Sequence, residues 1–260
     1  DQYWEGNTLI KNMNIGTFTR NTYMPMIAYG ITDKLNILLV IPYVNTESTG
    51  GQLAGVKGFQ DVNIGVKYEA FKKDFGKHRV SALAVAQFGT PMTNYLSDYM
   101  PYSLGLGTQE LTGRIIGQYE FNKMVYLRGS VAYLWRGQTE VERPYYYANG
   151  SYYTTYMDVP SAVNYQAILG GWLLNHNLRL EASYASLNCV SGDDIRRWNM
   201  PQPTNKMEVT NAGFFAQYYL KAFEPLKGFS VMAAYSQVLE GRNMGKSANI
   251  IGGVTYQFTF

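Results

Sequence analysis

The feature that most constrains this chain is a recurring segment in which apolar and polar or small residues take turns for about ten positions before the chain turns back. From Asp61 to Ala70, Val62, Ile64, Val66, Tyr68 and Ala70 alternate with Asp61, Asn63, Gly65, Lys67 and Glu69. From Glu110 to Phe121, Leu111, Gly113, Ile115, Gly117, Tyr119 and Phe121 oppose Glu110, Thr112, Arg114, Ile116, Gln118 and Glu120. The pattern returns with Val125, Leu127, Val131, Tyr133 and Trp135 against Tyr126, Arg128, Ser130 and Arg136, then in Leu178 to Tyr184 and in Asn249 to Phe260. Successive side chains of a strand point to opposite faces, so each segment predicts a strand with one oily and one wet side. The phase is poorer in 80–88 and 229–238, where no faces are assigned.

Connections alternate between two lengths. Short turns fall near 32–34, 73–76, 122–123, 175–177 and 225–227, and between them lie polar stretches at 45–57, 92–107, 138–160, 190–205 and the shorter 240–246. Strands are predicted near 8–18, 21–31, 35–44, 58–71, 78–90, 108–121, 123–137, 161–174, 177–189, 206–221, 228–239 and 247–260. The expectation is an all-β chain, a single domain over 1–260, forming a closed antiparallel up-and-down transmembrane β-barrel. It has about 12 strands, with ten and fourteen as neighbouring counts, short periplasmic turns and longer extracellular loops. Both termini are then periplasmic, and the first and last strands pair, because lipid offers no partner to an open sheet edge.

Composition separates this reading from its rival, a soluble antiparallel barrel or sandwich that turns the same apolar face inward. Only 16% of the 260 residues are charged, against roughly 25% in ordinary soluble domains. The polar faces hold Asn, Gln, Ser, Thr and Gly with a few charges of both signs, which suits a wet lumen. Aromatics gather toward strand ends, at Tyr43, Phe71, Phe88, Tyr119, Trp135, Trp172 and Tyr219 among others, as interfacial girdles do. The longest aliphatic run, Ile37 to Ile41, is far too short for a membrane helix, which needs roughly 18 residues. A net charge of +3 excludes a nucleic-acid partner, and one cysteine forms no internal disulfide. The opening Asp1-Gln-Tyr-Trp has no basic-then-apolar pattern, so the numbering reads as that of a processed chain.

The stretch Tyr29-Gly-Ile-Thr-Asp-Lys-Leu-Asn-Ile-Leu-Leu-Val-Ile-Pro-Tyr43, followed by Gly58-Phe-Gln-Asp-Val-Asn-Ile-Gly-Val-Lys-Tyr68, resembles the bacterial outer-membrane family named for the meta-pathway of phenol degradation. In that family a Tyr-Gly-x-Thr-Asp turn leads into a strand ending in Pro-Tyr, and the next strand carries Gly-x-x-Asp before Gly-x-Lys-Tyr. The resemblance covers Tyr29 to Tyr68. It implies an outer-membrane barrel of a Gram-negative bacterium that takes up small, often apolar or aromatic molecules. Tyr256, Phe258 and Phe260 resemble the C-terminal signal read by the barrel-assembly machinery.

Candidate chemistry lies on the wet faces. Lys67, Glu69, Glu110, Arg114, Glu120, Arg128, Arg136, Arg179 and Glu181 share the inward phase and can set selectivity by a transverse field, or can pair with strand neighbours and fill a narrow bore. Inward Leu38, Val40, Ile116 and Ile251 favour a narrow or gated path. Tyr145, Tyr146, Tyr147, Tyr152 and Tyr153 form an aromatic outer loop that suits contact with sugar, lipopolysaccharide or protein, or packing over the barrel mouth. Asp193-Asp194 reads as a solvated turn before a cation site. His78 and His176 both fall at short turns, away from a nucleophile, so no enzyme, metal or cofactor is expected.

Two functions follow. One is a passive outer-membrane channel for small molecules; the other is a poorly conducting barrel that scaffolds a larger outer-membrane complex. Expected partners are outer-membrane lipid and lipopolysaccharide, the barrel-assembly machinery and, under the second reading, other proteins.

Overall fold

The computed structural model describes residues 2–11, 15–147, 152–195, 201–221 and 226–258, with the side chains of 143–147 and 152–153 left out. Its strands are β1 (Gln2–Glu5), β2 (Thr8–Lys11), β3 (Phe18–Tyr23), β4 (Met26–Gly30), β5 (Leu35–Val40), β6 (Tyr43–Ser48), β7 (Lys57–Phe59), β8 (Asp61–Phe75) and β9 (His78–Pro91). They continue as β10 (Thr108–Phe121), β11 (Val125–Tyr147), β12 (Tyr152–Asp158), β13 (Ala162–Leu173), β14 (Leu178–Cys189), β15 (Glu208–Tyr219), β16 (Phe229–Arg242) and β17 (Ala248–Tyr256). A 12-stranded antiparallel sheet runs β17-β16-β15-β14-β13-β11-β10-β9-β8-β5-β4, and β12 pairs with β11 beside that path.

Two prolines break the first hairpin. Neither Pro25 nor Pro42 can donate to a ladder, and at that level Ile41 N donates to Pro25 O at 3.1 Å and Gln60 N to Pro42 O at 3.0 Å. Above the break, β3, β6 and β7 form a separate 3-stranded sheet. Lower down, a bulge between Glu69 and Phe71 shifts the phase of β8, so that Phe71 is exposed and Asp74 stands opposite Arg79. The expected strand 58–71 is therefore split at Gln60 and prolonged to Phe75.

Three further expectations are corrected. The stretch 138–160 is not an open loop, since β11 and β12 carry it upward as a hairpin. Its own Thr139, Val141 and Met157 are buried, and Thr139 Oγ1 donates to Ser97 Oγ at 2.8 Å, so the hairpin packs on the 92–107 connection. The segment 8–18 is not a strand of the large sheet. Thr8–Lys11 instead folds back on Gln2–Glu5, where hydrogen bonds to its neighbour compensate for a weak alternation.

That amino-terminal hairpin stands at the long-loop end, against the expectation of two periplasmic termini. Trp4 N donates to Met244 O and Lys246 N to Gln2 O, both at 2.8 Å, beside the β16–β17 connection. Further along, Thr49 N and Gly50 N donate to Thr17 O and Ile15 O, both at 3.1 Å. The segment is thus tied at that rim to the β16–β17 connection on one side and to the chain just after β6 on the other. Below it, no ladder joins β4 to β17 among the described residues. Both strands run from the long-loop end to the short-turn end, because the expected first strand is missing from the sheet.

One face of the sheet decides between the soluble and the membrane reading. Ile64 is 54% exposed, Ile115 65% and Leu169 59%, and the outward positions of β10 from Leu111 to Phe121 and of β11 from Val125 to Trp135 carry no charge. A contiguous uncharged apolar band of this extent belongs in lipid rather than water. Phe71, Tyr119, Phe121 and Tyr256 edge it at the short-turn end, while Phe88 and Trp135 stand toward the other.

Candidate functional site: the charged inner face

Strand register assembles the opposite, inner face into tiers. The tier nearest the long loops reads Val40, Asn63, Gly89, Glu110 and Arg136 across β5, β8, β9, β10 and β11. About 14 Å further along each strand, at about 3.4 Å per residue, lies the tier of Lys67, Val85, Arg114, Ala132 and Asn164. Nearest the short turns come Arg79, Glu120, Tyr126, Gly170 and Glu181.

Every sequence-predicted inward charge lies on this face, but the partners differ. Arg136 donates from Nε to Glu110 Oε2 at 2.8 Å and from Nη1 to Pro160 O at 3.2 Å. Glu69 pairs with Lys72 at 3.7 Å. Glu181 is a hub: Arg128 Nη1 lies 3.5 Å from it, Arg179 Nε lies 3.8 Å from it, and the Tyr126 hydroxyl donates to it. Arg179 also donates to Gln217 Oε1 at 2.8 Å and lies over the Phe215 ring. Arg128 donates to Gln118 Oε1 at 2.9 Å.

Arg114 stands apart. Its Nη1 donates to two neutral oxygens, Ser130 Oγ and Asn164 Oδ1, both at 3.1 Å. Lys67, two strands away on the same tier, has no ion pair with another described residue. Inward arginines of the same phase are therefore unlike, since Arg128 and Arg179 share a carboxylate and Arg114 has none among the described residues.

Sequence reading passed over several members. Arg79 donates to Asp74 Oδ1 at 2.6 Å and reaches Glu120 Oε1 at 3.5 Å, but it sits at the start of a segment whose phase the small residues Ala82, Ala84 and Ala86 obscure. Arg20 lies above the proline break, where alternation is interrupted. Its Nη1 donates to Ser103 O at 3.1 Å and its Nη2 to Gln60 Oε1 at 3.2 Å and to Leu104 O. Asp61 was legible as a polar position, but its partner Tyr95 lies on the 92–107 connection. Burial, with the bond to Asp61, pushes the Tyr95 hydroxyl well above its ordinary range, so it remains a donor.

A solved protein shares this fold. An outer membrane channel from Pseudomonas putida F1 superposes with a TM-score of 0.73 over 98% of this chain and 89% of its own, at 13% identity. This chain has the fold of an outer membrane channel. The NanC porin matches at a TM-score of 0.49 and 10% identity, covering 93% of this chain and 99% of its own. No protein-family model matches the sequence, and no curated protein matches it either.

Other predicted sites take their places in this channel fold. Tyr145, Tyr146 and Tyr147 pair through their backbones with Thr154, Tyr153 and Tyr152 in the raised β11–β12 hairpin. Tyr256 stacks near Phe229 and Phe258, with centroids 4.6 and 5.7 Å away, and Phe260 lies outside the described residues. His78 and His176 stand at the short-turn rim, His78 Nδ1 being 2.6 Å from Tyr119 Oη. Asp194 is held by Arg242 at 2.8 and 2.7 Å, and Asp193 accepts from Thr204 and Asn205, both at 3.2 Å. The pair read as a solvated turn ties the 190–205 connection to the end of β16.

Proposed function

We propose that this chain is a passive channel for small molecules in the bacterial outer membrane. The observation that carries the reading is the combination of an uncharged outward belt with charged and polar tiers that run along the whole inner face. Lipid accepts the first, and only a wet or ligand-filled interior gives the second a favourable setting. In lipid the free N–H and C=O groups of β4 and β17 also need partners. Because both strands run in the same direction, the barrel closes through a parallel pair beneath the amino-terminal segment.

Arg114 and Lys67 supply a positive constriction half-way along the path, and the Glu181 hub lines the end nearest the short turns. The second reading, a scaffold that conducts little, draws on the packing of the 92–107 connection and the β11–β12 hairpin over the mouth. Single-channel recording in planar bilayers separates them. Discrete current steps that respond to small solutes are expected of the channel, and a silent, correctly folded protein overturns it.

A further inference from the structure

A half-open chamber lies beneath the 92–107 connection, at the outermost tier. It measures about 470 Å³, within the range of small-molecule sites. Glycine keeps its walls open. A Cβ on Gly105 would come within 2.4 Å of the Tyr95 hydroxyl and 3.1 Å of Asp61 Oδ2, and one on Gly89 within 2.6 Å of Asn63 Oδ1. The roof is fixed to the walls. Tyr95 donates to Asp61 Oδ1 and accepts from Gly107 N at 2.9 Å, Arg20 holds the carbonyl of Ser103, and Tyr102 is fully buried behind them. A space bounded in this way exists before any solute enters.

The lining has an apolar side and a polar side. Met24, Val40 and Leu106 supply the first. Arg20, Asp61, Glu110 and Arg136 supply the second, so the formal charges cancel. Arg136 and Glu110 satisfy one another directly. Arg20 instead gives its hydrogen bonds to neutral oxygens, and the hydroxyl that Asp61 accepts from is neutral. Two opposite charges therefore border one small space, each without an ion pair among the described residues and each acting on the other only at longer range. A solute with a single charge meets one attraction and one repulsion there, whereas a molecule carrying both charges meets two attractions.

We propose that this chamber is a binding site for a small zwitterion with an apolar side group, its carboxylate toward Arg20, its ammonium toward Asp61 and its apolar part against Met24, Val40 and Leu106. The inference names the solute class of the channel reading and rests on it for its biological sense, but binding is measurable without conduction.

The test is isothermal titration calorimetry on the full chain in detergent, with four probes that share one aromatic body. These are phenylalanine, 3-phenylpropionate, 2-phenylethylamine and 3-phenylpropanamide. Phenylalanine is expected to bind about tenfold more tightly than each of the others, a difference of about 1.4 kcal/mol. Asp61→Asn keeps an acceptor for Tyr95 and is expected to remove that advantage while improving 3-phenylpropionate. Asn63→Asp, which adds a carboxylate to the same wall, favours 2-phenylethylamine. The proposal is overturned if phenylalanine binds no better than 3-phenylpropanamide, or if Asp61→Asn leaves the order of the probes unchanged. Binding without current in a bilayer removes the channel reading and leaves the site standing, and current without selective binding does the reverse.

Discussion

The ring of Tyr126 lies across Gly170, and its hydroxyl reaches over that residue to Glu181, two strands away. A Cβ on Gly170 would come within 2.2 Å of Tyr126 Cζ, so the contact exists only because the intervening residue has no side chain. Gly170→Ala is expected to displace the ring and cost about 1–3 kcal/mol by overpacking. Gly171→Ala, whose Cβ would sit 3.6 Å from Met124 O, should be nearly neutral. Urea titrations of folding into lipid vesicles compare the two.

Arg114 and Arg128 should separate selectivity from stability. Arg114→Gln removes a cation that has no carboxylate partner among the described residues, so the reversal potential in a salt gradient should move toward cation preference with little change in folding. Arg128→Gln instead takes one of the cations from the nearly buried Glu181 and should cost about 1–3 kcal/mol of stability. Equal effects of both variants on both measurements would contradict the assigned partners.

The face assignment predicts a sharp asymmetry for introduced charge. Arg at Ile115 or Ile64, each exposed on the lipid side in mid-strand, is expected to cost about 2–4 kcal/mol. Gln166→Arg, on the inner face opposite Ser130, should be tolerated. Refolding yields and urea midpoints in vesicles check it, and comparable losses at all three positions would overturn the face assignment.

The amino-terminal anchor should loosen in acid. The Arg242 guanidinium holds the Asp194 carboxyl down at about 2, with Asn243 helping, from an ordinary value of 3.8. A depressed carboxylate contributes its stability above the unfolded value and loses it as the pH falls through the folded one. Amide exchange at Trp4 and Asn243, which bond to Met244 O and Gly6 O, should therefore accelerate as the pH is lowered from about 4 toward 2, once corrected for intrinsic rates. Asp194→Asn should raise exchange at neutral pH and flatten the dependence.

Strands and their faces were legible in the residue pattern wherever alternation was unbroken. Glu110–Phe121 and Leu178–Tyr184 could be read residue by residue, because a period of two leaves each side chain one face to occupy and lipid demands that one face be apolar. The pattern also placed Arg114, Arg128, Arg179 and Glu181 on one surface. It could not say which of them meet, since partners two strands apart depend on register and on a glycine such as Gly170 lying between them. Local pattern failed at the amino terminus, where Thr8–Lys11 chose Gln2–Glu5 over the sheet, and around Pro25 and Pro42, where missing donors divide strands that sequence runs together. The chamber was hidden for the same physical reason. Arg20, Asp61 and Arg136 lie far apart in the chain and on three strands that do not pair with one another, and only the tertiary fold, with the 92–107 connection above them, brings their charges to one space.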